Sequence, residues 1–205
     1  MSDPGARRTD VETRRQQIVD AASACARRAG FHGSSMAEIA QQAGMSVGQI
    51  YRYFDSKEAI IAAIVARDMA EMRDKYCELQ SSGVPVRDAI LNKCVNAIDD
   101  LYASDRAALM LEVVAEAARN PDVAAILQAA DAEERKMQQA LLRQAFPADL
   151  DDRERAARGE VISMLFEGLP CRGVNNPGGD RAAISAELRS VLHHLMTRPG
   201  GTPKG

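Results

Sequence analysis

Residues 46–57, SVGQIYRYFDSK, set a glutamine, an arginine, two tyrosines and a lysine around Val47, Ile50 and Phe54. Gln and Arg make paired hydrogen bonds to base edges, and Tyr hydroxyls and a Lys ammonium suit phosphate oxygens. The segment therefore points to contact with a duplex. Catalytic sets are missing: there is no paired Glu-x-x-His, no Ser/His/Asp or Cys/His set with a supporting motif, and no phosphate-cradling glycine loop. No enzymatic activity is expected. Cys25, Cys77, Cys94 and Cys171 lie far apart without metal-ligand spacing, and His193 and His194 have no partners at such spacing. No metal and no cofactor are expected.

Such side chains act only if short helices hold them outward. Ser35 with Glu38 forms a capping box ahead of Ala37, Ile39 and Ala40, and Gly44 ends that helix. Ser46 with Gln49 forms a second box and starts a helix over 47–54, which Asp55 and Ser56 stop. The two helices, joined by QAGMS, have the form of a helix-turn-helix. Val47 or Ile50, with Phe54, can face inward, which leaves Gln49, Tyr51, Arg52 and Tyr53 to point elsewhere. Upstream, Ile18, Ala22, Cys25 and Ala29 mark one helical face ended by Gly30, beyond which Phe31 folds back on the last turn.

The remainder is predicted to be all-α. Ser56 caps a long helix with a stripe through Ile60, Ile61, Ile64, Val65, Met72, Tyr76 and Leu79. Helices follow at about 86–103, 105–118, 122–145, 151–167 and 180–197. Residues 168–179 read as a long loop, 1–12 as a flexible arm and 198–205 as a flexible tail. The expected domains are a helix-turn-helix head at 13–57 and a helical ligand-binding and dimerisation domain at 58–197. Cys25, Cys77 and Cys94 sit in apolar helical patterns and read as small core residues.

Charge is uneven. Residues 1–57 hold eight Lys/Arg and six Asp/Glu, against 18 and 23 in the rest of a chain with net charge −3. A mildly basic head on an acidic body fits an anionic partner at the head. Arg7, Arg8, Arg14 and Arg15 are available to a minor groove or to phosphates, or form a solvated basic face. No apolar run reaches membrane-spanning length and no secretory segment opens the sequence, so a reduced, cytoplasmic protein without a membrane partner is expected.

The run GMSVGQIYRYFDSKEAI resembles the signature of TetR-family transcriptional repressors through Gly44, Ser46, Gly48, Ile50, Tyr51, Tyr53, Phe54, Ser56, Lys57 and Glu58. AGFHGSSMAEIAQQAG resembles the family's entry to its second helix. The resemblance is good over about 14–65, and beyond that lies in helix order and length. It implies that Ser35 caps the second helix beside a phosphate, and that Val47, Gly48, Gln49 and Arg52 face the groove. Ser46, Tyr51, Tyr53 and Lys57 complete the expected DNA-contact set, the last three mainly on the backbone.

The resemblance further implies a homodimer on operator DNA, released by a small-molecule inducer. The dimer seam would use the last two long helices, with Val161, Ile162, Leu165, Ile184, Leu188, Val191, Leu192 and Leu195 as candidates, although these stripes can equally close an intrachain core. Candidate ligand contacts are Asn96, Tyr102, Met110, Glu112, Val113, Met137 and Phe166. Glu112 and Glu116 stand in an apolar setting, where a buried carboxylate would suit a cationic ligand. The competing readings are a transcriptional activator of the same fold and a helical protein-interaction scaffold.

Overall fold

The computed structural model describes residues 4–102 and 105–201, with the surroundings of side chains given for all of these except 4–9, 95–97 and 105. Among the described residues the chain is all-α, with an N-terminal helix-turn-helix head followed by a larger helical region. The helices are α1 (Pro4–Gly33), α2 (Met36–Gln42), α3 (Val47–Ile50), α4 (Lys57–Gln80), α5 (Val86–Tyr102), α6 (Asp105–Ala117), α7 (Pro121–Ala145), α8 (Asp152–Asn175) and α9 (Arg181–Thr197). The chain packs as two compact units. Unit 1 is 1–69 with 108–130, and unit 2 is 70–107 with 131–205.

Unit 1 is built on the apolar face of α1. Ile18, Ala22 and Cys25 pack with Ile39, Ile50, Phe54, Ile60, Ile61 and Ile64, joined by Leu109, Val113 and Val123. Gly30 interrupts α1 with φ 73°, and Phe31 beyond it is buried at 1% exposure, so the expected turn-back is present. A side chain at Gly30 would meet Glu112, since a Cβ there would lie 2.9 Å from Glu112 Oε2.

Unit 2 gathers Leu91, Cys94, Ile98 and Tyr102 of α5 with Leu141, Leu142, Ile162, Leu169, Leu188, Leu192 and Met196. Asp151 and Asp180 cap α8 and α9 by accepting from the backbone N–H three residues on. Arg158 is 3% exposed; it pairs with Glu154 at 2.7 Å and donates to the carbonyls of Leu195 at 2.8 Å and Arg198 at 2.7 Å.

Three expectations are corrected. Backbone expected as a flexible arm belongs to α1 from Pro4 onward, while residues 1–3 of that arm lie outside the described residues. Of the tail, 202–205 lie outside them too. Residues 168–175, expected in a loop, continue α8 through Pro170. A helical proline lacks an N–H and costs about 3 kcal/mol in isolation. Here Leu169, Pro170 and Gly173 are all buried, and that packing outweighs the local preference. Cys77 is exposed on α4, whereas Cys25 and Cys94 are buried.

Gly173 is required by contact, because a Cβ there would fall 1.9 Å from the backbone oxygen of Tyr102. Gly168, one turn earlier, would meet nothing within 4 Å. Gly173→Ala should therefore destabilise the chain by about 3 kcal/mol or more through forced overpacking. Gly168→Ala should be neutral or slightly stabilising, and urea denaturation of the pair checks both.

Candidate nucleic-acid interface

α2, α3 and α4 each start on a serine. Ser35 Oγ accepts from Glu38 N–H at 3.2 Å, while Glu38 Oε2 accepts from Ser35 N–H at 2.7 Å. Those bonds from Ser35, backbone first, hold the Glu38 carboxyl below its usual range. Ser46 and Gln49 repeat the box, and Ser56 Oγ accepts from Ala59 N–H at 3.2 Å. Both boxes were legible because they are local, four-residue patterns.

Regular α3 stops at Ile50, earlier than the expected 47–54. The path continues as a tighter turn, with Arg52 N–H donating to Gln49 O and Tyr53 N–H to Ile50 O. Ile50 is fully buried and Phe54 is 3% exposed. These anchors turn Val47, Gly48, Gln49, Tyr51 and Arg52 outward, and all five are exposed. The structure thus brings the expected groove-facing residues onto one open surface. Tyr53 is half-buried and packed on the core. Ser35 and Ser46 are exposed, with their hydroxyls engaged in caps.

The helix C-termini are closed by residues that sequence reasoning missed. Arg15 Nη1 donates to Tyr53 O at 2.5 Å, and its guanidinium lies 4.1 Å from the centre of the Phe54 ring. Gln17 Nε2 donates to Ala43 O at 2.8 Å, which closes α2. The available signal was the position of both residues beside the buried Ile18 stripe. Lys57 has a role within the fold that the sequence did not show: its ammonium donates to Phe31 O at 2.7 Å and Ser34 O at 3.5 Å, at the end of α1. The reason is electrostatic: carbonyls at a helix C-terminus attract a cation.

The ligand candidates are not gathered within either unit. Met110, Glu112 and Val113 belong to unit 1, where Val113 is buried in the core and Glu112 lies over Gly30. Tyr102, Met137 and Phe166 belong to unit 2. Tyr102 is 4% exposed and its hydroxyl donates to Asn176 O at 2.6 Å, so it pins α8 to α5. The Asn96 side chain lies outside the described residues. Glu116 is buried and paired with Arg119 at 2.8 Å. Two recesses stand out. One of about 800 Å³ is lined by Glu12, Gln16, Gln17, Asp20 and Gln42, and one of about 70 Å³ by Arg135, Gln138, Arg155 and Gly159; neither includes a ligand candidate.

A polar pair that the sequence did not reveal joins α4 to α7. Tyr76 Oη donates to Glu134 Oε1 at 3.4 Å. Burial raises the Glu134 carboxyl above its usual range; the tyrosine hydrogen bond opposes this, and Glu167 and Asp131 add to it. Among the described residues no group of three or more His, Cys, Asp or Glu could hold a metal ion, and no helix is long and apolar enough to cross a membrane.

The seam candidates divide by exposure. Ile162, Leu188 and Leu192 are buried in unit 2 and help close its own core, the alternative that the stripes also allowed. Leu165, Ile184 and Leu195 are half-buried against that core. Val161 and Val191 are exposed at 42% and 43%, as is Met164, which is not among the candidates, at 59%.

Lys57→Met keeps the apolar stem and removes the donor. It should lower stability to urea by about 1–3 kcal/mol, the range for a hydrogen bond to a charged group, and leave the salt dependence of DNA binding unchanged. Unchanged stability with a salt slope reduced by about one unit would return Lys57 to a phosphate.

Comparison with known proteins agrees with this geometry. Residues 18–64 match the family described as bacterial regulatory proteins, tetR family, and residues 88–197 match the BetI-type transcriptional repressor C-terminal family. The HTH-type transcriptional regulator UidR of Escherichia coli (strain K12) is 33% identical over 119 residues, 58% of this chain; the match spans only 59% of UidR. The HTH-type transcriptional regulator BetI of Rhizobium meliloti (strain 1021) is 30% identical over 193 residues, 92% of each chain. The solved structure of Salmonella enterica GusR superposes with a TM-score of 0.74 at 26% identity, covering 90% of this chain and 95% of that one. The chain belongs to the tetR family of bacterial regulatory proteins, with a BetI-type C-terminal region.

Proposed function

We propose that the chain is a ligand-responsive transcriptional repressor that binds palindromic operator DNA as a homodimer through α3 and is released by a small-molecule inducer. Gly48 carries the DNA reading. It sits inside a four-residue helix without a positive φ, and a Cβ there would meet nothing within 4 Å. Glycine inside a helix costs roughly 0.5–1 kcal/mol relative to alanine. Nothing among the described residues requires that glycine, and a close backbone approach by something outside is the use that fits it. The flanking Val47, Gln49, Tyr51 and Arg52 supply what a major groove accepts.

A single α3 offers few contacts, and pairing two heads on two half-sites supplies the missing selectivity. The exposed Val161 and Met164 of α8 and the exposed Val191 of α9 suit a seam with a second copy. In this reading 13–57 reads DNA, and the ligand-binding and dimerisation roles fall within 58–197, of which 58–69 and 108–130 pack with the head. The match to a BetI-type transcriptional repressor C-terminal region favours repression over activation. The inducer must bind more tightly to the conformation that cannot span both half-sites.

Gly48→Ala separates this reading from an interaction scaffold in which α3 is merely structural. The variant should be more stable by about 0.5–1 kcal/mol and should bind duplex DNA at least about tenfold more weakly. Higher stability with unchanged DNA binding would favour the scaffold. Val191→Asp should convert a sedimenting dimer to a folded monomer with weakened operator binding, and a persisting dimer would move the seam elsewhere.

A further inference from the structure

Two residues of α1 reach the ends of the α3 segment, and a third lies between them. Gln17 Nε2 donates to Ala43 O at 2.8 Å, in the turn that leads into α3, and Arg15 Nη1 donates to Tyr53 O at 2.5 Å, in the turn that leaves it. Arg14 Nη1 donates to Gln17 Oε1 at 3.0 Å. The Gln17 amide has one orientation here, because a carbonyl only accepts and a guanidinium only donates. On a helix of about 3.6 residues per turn, Arg14 projects about 60° from Gln17 and about 100° from Arg15, between the two. It therefore stands beside α3.

Arg14 and Arg15 are neighbours with opposite uses. Arg15 is half-buried, with its guanidinium against the Phe54 ring and a backbone carbonyl. Arg14 is exposed, and its bond goes to a neutral amide that does not compensate its charge. A guanidinium carries several N–H donors in a planar fork, and the bond to Gln17 leaves the rest of that fork for other acceptors. A phosphate, with its charged oxygens, matches that fork. The major groove admits one helix, so a side chain on the helix beside it meets the sugar–phosphate wall before any base edge.

We propose that Arg14 is a phosphate clamp of each half-site, held beside α3 by Gln17 as its positioning residue. The sequence leaves Arg14 open between a phosphate, a minor groove and a solvated face; the bond to Gln17, itself tied to the turn before α3, favours the phosphate. This rests on the reading that α3 enters the major groove.

The test is titration, at several salt concentrations, of a duplex that the full wild-type chain enriches from a randomised library, beside a scrambled duplex. Per half-site, Arg14→Gln should weaken both duplexes alike, by about five- to tenfold at about 0.1 M salt, and lower the salt slope by about one unit. Arg27→Gln, which removes an exposed charge from another side of α1, should leave the slope unchanged. Gln17→Met should lower the slope in part, and Arg14→Gln added to it should cost less than it does on the wild-type chain. An unchanged slope in Arg14→Gln, or an equal fall in Arg27→Gln, overturns the inference, as does a loss confined to the enriched duplex. Additive losses in the double variant would overturn the part given to Gln17. Failure of the wild-type chain to enrich any sequence would overturn the groove reading itself, and this inference with it.

Discussion

Closure of helix C-termini by side chains from distant helices is the interaction on which both units depend. The last carbonyls of an α-helix have no intrahelical partner, and burying them unpaired is costly. In unit 1, Lys57 closes α1 at Phe31, Gln17 closes α2 at Ala43, and Arg15 closes the turn after α3 at Tyr53. In unit 2, Arg87 closes α7 at Ala145, Tyr102 closes α8 at Asn176, and Arg158 closes α9 at Leu195. Each bond satisfies a carbonyl and fixes one helix end against another. The serine and aspartate caps do the same for N-termini locally, and so set where helices begin rather than how they are arranged.

This matters most for α3. Four residues of helix have no stability of their own. The segment is held from inside by Ile50 and Phe54, from its start by Ser46, and from its end by Arg15. With every anchor on one side, the other side is free to carry residues that the fold does not need. Gly48 is the clearest of these, since it weakens the helix and touches nothing. Function therefore occupies the face that packing leaves open.

Much of this was legible in the sequence. Capping boxes are local, so the starts of α2 and α3 could be read from Ser35/Glu38 and Ser46/Gln49. The apolar spacing of Ile18, Ala22, Cys25, Ile60, Ile61 and Ile64 marked the core of the head. The rest depends on contacts between distant residues. The bond from Lys57 to Phe31, 26 positions away, and the bond from Tyr102 to Asn176, 74 positions away, leave no local signal. Pro170 reads as a breaker because local preference carries no information about burial. A helical stripe identifies an apolar side without saying what covers it, so Leu188 and Leu192 could not be told from Val191.

Hydrogen–deuterium exchange of the full chain, with and without duplex DNA at low salt, tests the central claim most directly. The head should hold its amides in place and offer α3 to the groove. Exchange should slow at 46–54 and at the neighbouring start of α2 when duplex is added, while the amides of α5 and α9 keep their rates. Slowing confined to unit 2, or none in 46–54 under conditions where the duplex is bound, would contradict the account.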